Sequence, residues 1–333
     1  MAHASTDITL HDIYQARHAI QGHVARTPLV YSEALSQRFG CDAWLKLETL
    51  QPIGAFKLRG ATFAMSKLTP EQKKAGVVTC STGNHGRAIA YAGKKLGVHT
   101  IICMSQLVPE NKVNAIKALG AEVRIIGLSQ DEAEVETMRL VKEEGLVYLP
   151  PFDHPDILSG QGTIGIEIFE DKPDVDMVFA GLSGGGLIGG IGLVAKAINP
   201  DVQIIGASMD RGAAMAVSLE AGKPVQVPEY ESFADSLGGG IGLNNAYSLP
   251  IVQEVMDHVY LVNEQSIARG MVHFFEHEKM LVEGAATVGI AAIEQHNLDV
   301  SGKTIVFIVS GKNVAADTFR KAQILAAEQI NKG

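Results

Sequence analysis

The chain has 333 residues, 46% of them hydrophobic and 20% charged, which describes an ordinary globular protein too long for one compact core. Its net charge of -9, with no block of Lys or Arg, argues against nucleic acid or an anionic membrane as principal partner. Three cysteines (Cys41, Cys80, Cys103) at spacings that suit neither zinc nor a redox pair read as reduced thiols of a cytoplasmic protein, and neither a secretion signal nor a bilayer-length apolar run is visible.

Asp12 to Val24 carries the apolar spacing of an amphipathic helix that ends at the turn Arg26-Thr27-Pro28. A short strand at Ala43 to Leu47 leads through the turn Gln51-Pro52-Ile53-Gly54 to a helix holding Lys57, Arg59 and Met65. From Val77 the pattern alternates. Strands begin at Val77, Thr100 and Glu122, and helices at Asn84, Pro109 and Asp131. A second series places strands at Asp176, Val202, Val259 and Thr304, a helix at Leu187, two helices before Gln295 and a terminal helix. Strands alternating with helices predict βαβ units and parallel sheets, an α/β fold. Residues 77–149 read as a small α/β domain inserted into a larger one formed by 1–76 and 150–333. The polar stretch Pro224 to Asn245 shows no regular period.

Ligands of open parallel sheets lie beyond the carboxyl ends of the strands. Three Gly-rich or polar turns follow strands and open helices: Ser81 to Gly86, Ser183 to Gly186, and Ser310 to Asn313. In Leu182-Ser183-Gly184-Gly185-Gly186-Leu187, side-chain-free residues let backbone N–H groups converge at a helix start, which suits a phosphate. The same residues admit two other readings. Gly184, Gly186 and Gly189 fit G-x-G-x-x-G, with Asp210 as a ribose-binding acid, which would give a nicotinamide oxidoreductase. Close helix–strand packing without a ligand is the third.

Lys57 lies in Gly54-Ala55-Phe56-Lys57-Leu58-Arg59-Gly60-Ala61. A lone Lys beside Arg is usually a solvated surface charge. Here the apolar neighbours suggest an amine with a lowered pKa, free to form an imine. This segment, STGNHG at Ser81, SGGGL at Ser183 and SGKN at Ser310 come in the order that resembles the fold-type II pyridoxal-phosphate enzymes, the threonine dehydratase and serine racemase group. GQGTIG at Gly160 and VEGAATVG at Val282 match as well, and the likeness runs from Ile13 to the last helix.

The resemblance implies a tryptophan synthase β-like fold of two open, twisted α/β domains with pyridoxal 5'-phosphate in the cleft between them. It implies a homodimer and a small amino-acid substrate. Lys57 would carry the cofactor and act as base and acid at Cα, with Phe56 beside it. Asn84 would bond the 3-hydroxyl of the cofactor. Ser183, Gly184, Gly185, Gly186 and Leu187 would hold its phosphate, and Ser310 its pyridine nitrogen. Ser81, Thr82, Gly83 and His85 would line the pocket for the substrate carboxylate. Read without the resemblance, Ser81 or Thr82 is a plain N-cap and His85 a packed helix residue.

Four departures qualify the likeness. Ser183 stands where close relatives begin the phosphate loop with Gly, and a hydroxyl still serves phosphate. Thr82 stands where serine racemases use serine, and its stiffness weakens the case for racemisation. Ser208 and Ala214 replace the acidic ligands of metal-activated members, so no divalent metal is expected there. Ser236 replaces a Gly near the substrate. That residue, CMSQLVPENK at Cys103 and PPFDHPD at Pro150 resemble a dehydratase subgroup associated with hydroxyectoine breakdown. The expected activity is elimination of water from a 3-hydroxy amino acid (threonine- or serine-like, 3-hydroxyaspartate, phenylserine or a hydroxyectoine-derived compound), with racemisation as the alternative. The chain ends soon after its last helix, so feedback through an added regulatory domain is not expected.

Overall fold

The computed structural model describes residues 8–328 apart from Thr82 and Pro109. Helix α1 (Leu10–Ala19) starts at a capping box in which the Thr9 hydroxyl accepts from Asp12 N–H and the Asp12 carboxylate accepts from Thr9 N–H. It stops short of Val24, because Gly22 turns the chain at φ +81° and Gln21 bridges to Val24. There follow β1 (Leu29–Tyr31), α2 (Glu33–Phe39), β2 (Asp42–Leu47), α3 (Leu58–Ser66) and α4 (Pro70–Ala75). The alternating series is β3 (Val77–Cys80), α5 (Asn84–Leu96), β4 (Thr100–Met104), α6 (Glu110–Ala118), β5 (Glu122–Ile125), α7 (Gln130–Glu144) and β6 (Val147–Tyr148). Next come α8 (Pro155–Asp171), β7 (Met177–Gly181), α9 (Gly186–Ile198), β8 (Gln203–Met209), α10 (Ala214–Ala221) and α11 (Ser248–Val255). The chain closes with β9 (His258–Val262), α12 (Glu264–Glu276), α13 (Val288–His296), β10 (Thr304–Val309) and α14 (Ala316–Ala327).

These strands form two sheets, in the orders β1-β2-β10-β7-β8-β9 and β5-β4-β3-β6. Every pairing is parallel except β1 with β2. Strand β10 lies between β2 and β7, so the ends of chain segments far apart in sequence meet at one sheet edge. Apolar side chains fill both faces, as parallel sheets require. Helix α3 shares an apolar cluster with β3, β4 and α5 through Leu58, Ala61, Met65, Val77, Ile89 and Ile102.

Helix α8 was not legible as a helix in the sequence. Every residue from Ile157 to Phe169 is buried, so no polar face marks the period. Its GQGTIG glycines serve close crossing. A Cβ on Gly160 would come within 2.5 Å of Gly60 Cα, and one on Gly190 of α9 within 2.5 Å of Leu158 O. Gly189, the last glycine of the G-x-G-x-x-G reading, likewise faces Ile251 and Leu158. The stretch Pro224 to Asn245 holds a single short 3-10 turn, Asp235–Leu237.

Candidate active site

The segment before Lys57 is clamped to the end of β10. Ala55 bridges to Gly311, Phe56 N–H donates to Ser310 O at 3.0 Å, and Lys312 N–H donates to Gly54 O at 2.9 Å. Gly54 makes the turn at φ +75°, and a Cβ there would press on Asn313 and Lys312. Lys57 is thereby set at the N-cap of α3, beside the buried Ser310. Its Nζ donates to Pro151 O at 2.7 Å and lies 5.2 Å from the Phe56 ring centre. No carboxylate pairs with it among the described residues. Burial alone pushes its pKa down to about 8.

Two residues on, Arg59 is wholly buried and anchors the same turn of α3. Its Nε and Nη2 grip the Glu48 carboxylate at 2.8 Å each, and Nη1 and Nη2 grip Glu167 at 2.7 Å each. Lys46 Nζ completes the set at 2.6 Å from Glu167, and Thr27 Oγ1 donates to Glu48 at 2.6 Å. Lys46 is wholly buried and Lys57 partly buried, and the two are held differently. One is held by a carboxylate, while the other has only a neutral carbonyl.

The Ser183 to Gly186 turn follows β7. Gly185 sits at φ +84° as the N-cap of α9, and the first amide of the turn with an acceptor is Gly189 N–H, to Gly185 O at 2.8 Å. The amides of 183–188 therefore meet no acceptor among the described residues, although Gly184 to Ile188 are buried. Buried orphan N–H groups at a helix start demand a ligand, and an anion is the one the helix favours. Phe152 closes the turn from the other side. A Cβ on Gly184 would come within 2.2 Å of its ring, and one on Gly186 within 3.1 Å of its Cβ. Because Pro151 accepts from Lys57, this one dipeptide holds the amine and the anion turn together.

Helix α5 opens at the N-cap Gly83, and its first helical bond is Arg87 N–H to Gly83 O at 3.2 Å. Among the described residues, the N–H groups of Gly83 and Asn84 meet no acceptor within the helix, as a carboxylate site needs. Gly86 permits the tight start, since a Cβ there would lie 2.2 Å from Ser81 O. Ser81 is half-buried and Gly83 exposed, while Thr82 lies outside the described residues. The side chain of His85 turns inward and its Nε2–H donates to Leu149 O at 2.9 Å. Burial, and then the charge of Lys57, push its pKa down to about 3, so the ring is neutral and only its backbone faces the turn.

Asn84 reaches across to the other sheet. Its Nδ2 lies 3.0 Å from both carboxylate oxygens of Glu283, and its Oδ1 accepts from Asn313 Nδ2 at 2.7 Å. Ser236 lies exposed in the 3-10 turn Asp235–Leu237. Sequence reasoning passed over Pro151, Phe152 and Glu283. The signal for Glu283 was present, since it is the one charged residue in Met280-Leu281-Val282-Glu283-Gly284-Ala285-Ala286. Ser208 Oγ is buried without a partner and Ala214 starts α10, and among the described residues no cluster of His, Cys, Asp or Glu could hold a metal ion. No described helix is long and apolar enough to cross a membrane.

A family model described as pyridoxal-phosphate dependent enzyme matches residues 20–311. The chain belongs to this family. A protein of Sinorhizobium fredii, whose threonine dehydratase name is provisional, is 52% identical over 93% of both chains. L-threonine ammonia-lyase of Thermotoga maritima is 37% identical over 98% of this chain and 79% of its own length. Among solved structures, the processed form of threonine deaminase isoform 2 from Solanum lycopersicum superposes with a TM-score of 0.89 at 34% identity, covering 97% of this chain and 94% of the other. Maize serine racemase does so with a TM-score of 0.88 at 33% identity, covering 97% and 99%. The enzyme is thus a fold-type II member of the threonine dehydratase and serine racemase group, and its cofactor is pyridoxal 5'-phosphate.

The site fits that cofactor on its own geometry. The orphan amides of 183–188 suit a phosphate, and an amine with a lowered pKa and no paired carboxylate suits an aldehyde. The oxidoreductase reading of the same glycines is set aside by the family. Gly184→Ala is expected to weaken cofactor binding about tenfold or more, because its methyl group displaces Phe152. Equilibrium binding followed by cofactor absorbance measures it.

Proposed function

We propose that the enzyme is an ammonia-lyase that removes water from a 3-hydroxy amino acid and yields a 2-oxo acid and ammonia. One observation carries this reading: the Lys57 amine, partly buried and paired with no carboxylate among the described residues, is tied through Pro151 and Phe152 to a turn of orphan amides. The names of the threonine ammonia-lyase and threonine deaminase relatives support it.

When bound, pyridoxal phosphate draws electrons from the α-carbon of the substrate, which makes its proton removable. Lys57 would be the covalent anchor, the amides of Ser183, Gly184, Gly185, Gly186 and Leu187 would take the phosphate, Ser310 would bond the pyridine nitrogen and Asn84 the 3-hydroxyl. Amides of Ser81 to His85 orient the substrate carboxylate at the start of α5. The Lys57 amine would take the proton from Cα. The β-hydroxyl departs with a proton as water. The released enamine tautomerises and adds water outside the site, which gives the 2-oxo acid and ammonia.

Ser236, which is exposed, is read as lying where substrate fit would be set. With the motifs at Cys103 and Pro150 it supports membership of the hydroxyectoine-associated subgroup, with a specialised substrate. The division into domains 1–76 with 150–333 and 77–149, the homodimer and the cytoplasmic location belong to the same reading. Racemisation is the second reading, supported by the maize serine racemase superposition.

Ammonia release from serine, threonine, 3-hydroxyaspartate and phenylserine, in every stereoisomer, tests the proposal. Turnover of one member is the expected result. Chiral analysis that finds interconversion with no ammonia would replace the lyase with a racemase. Silence with both assays, from cofactor-loaded protein, points to the hydroxyectoine-derived substrate as the next compound to supply.

A further inference from the structure

Glu283 takes no part in the reaction proposed above, yet it is 4% exposed and lies in the cleft. Its carboxylate accepts from two donors, Asn84 Nδ2 at 3.0 Å from each oxygen and Asn313 N–H at 2.7 Å from Oε1. Gly311 leaves room for it, since a Cβ there would come within 2.5 Å of Oε1.

The rotation of each amide in this network follows from a backbone carbonyl. Ile53 O can only accept, and it lies 2.9 Å from the Asn313 side-chain nitrogen. That atom is therefore Nδ2, and its other hydrogen meets Asn84 2.7 Å away. The Asn84 atom there must be Oδ1, which turns Asn84 Nδ2 toward Glu283. The carboxylate accepts in that orientation and would repel the reverse one, oxygen against oxygen. Equal distances of 3.0 Å fit one N–H shared by both carboxylate oxygens, which leaves the second N–H of Asn84 unspent.

We propose that Glu283 is a positioning residue: it locks the Asn84 amide so that its remaining N–H is presented to the 3-hydroxyl of the bound cofactor. The inference rests on the reading of Asn84 as a cofactor contact and needs no particular substrate. Asn313 is the second half of the lock, holding Oδ1 while Glu283 holds Nδ2.

The test uses the loaded holoenzyme without substrate and reads the visible absorption of the cofactor, its change with pH, and cofactor affinity. Glu283→Gln keeps the shape but offers an N–H that suits the flipped Asn84. It is expected to move the midpoint of the spectral pH titration in the same direction as Asn84→Ala and to weaken cofactor binding about tenfold. The double variant is expected to match Asn84→Ala alone. A wild-type spectrum and midpoint in Glu283→Gln, beside a shifted Asn84→Ala, would overturn the proposal, as would additive effects in the double variant. An unmoved Asn84→Ala overturns both the Asn84 contact and the lock. Asn313→Ala covers the case in which Glu283→Gln fails to fold. A smaller shift in the same direction is expected of it, and no shift overturns the lock. Failure of the ammonia-lyase reading shows only in the substrate panel, so the two are separable.

Discussion

Replacing Lys57 with alanine is expected to lower kcat by a factor on the order of 10⁴ or more, because the anchor and the Cα base are lost together. The fold should survive, since Nζ is held by one carbonyl and by no ion pair. Equal melting temperatures for variant and wild type, with ammonia release at background, are the expected pair of results. Added small amines should restore a fraction of the activity. Full turnover by Lys57→Ala without added amine would remove Lys57 from the mechanism. The pH dependence follows from burial, which lowers the Lys57 pKa from 10.5 to about 8. In cofactor-free protein, trapping of the amine by an aldehyde and a hydride reductant should rise with a midpoint near pH 8. A midpoint near the ordinary lysine value would mean that the amine is solvated. The stability relation has a definite sign. Between pH 8 and 10.5 the unfolded chain binds this proton more than the folded one, so this group makes stability rise with pH across that window.

The second large effect is on the fold. Arg59→Ala is expected to destabilise the enzyme by about 3–5 kcal/mol, because it strands two buried carboxylates. Glu48 is wholly buried, and Glu167 is nearly so. Burial works against the charge on Glu167, but bonds from Arg59 and Lys46 overcome it and hold the carboxyl below its ordinary value. A group lowered in this way contributes stability above its unfolded pKa and loses it as pH falls through the folded one. Urea unfolding of wild type should therefore show a midpoint that drops in acid, and the Arg59→Ala midpoint should lie well below it at neutral pH. Arg59→Lys keeps the charge but cannot grip two carboxylates at once, so it should fall between. An unchanged midpoint for Arg59→Ala would mean that the cluster adds nothing to the fold. Cofactor affinity should fall with stability in this series, since Arg59 fixes the turn of α3 that carries Lys57.

How much of this was legible differs from residue to residue. Lys57 could be singled out because its neighbours are apolar, and the Ser183 to Gly186 turn because glycines clustered between a strand and a helix. The alternation from Val77 to Tyr148 was equally plain, because each of its helices keeps a polar face. By contrast α8 gave no period, being buried on all sides, and α1 was drawn too long because the freedom of Gly22 has no periodic signature. His85 shows the limit of motif reasoning. The motif left it open between the substrate pocket and a packed helix residue, and its ring bonds Leu149 O.

The sequence by itself determined the α/β class, the strand-to-helix turns and the lysine, because these depend on neighbours a few residues away. Only the tertiary structure decided what each turn faces. Asn84 and Glu283 are 199 residues apart, and they meet because α5 opens toward the end of β10 and the turn after α12. Phe152 covers the glycine turn, and Pro151 carries the Lys57 bond, through a loop whose path is set by α8 behind it. Parallel sheets bring the carboxyl ends of distant strands to one edge, so the turns could be found locally while their partners had to wait for the fold.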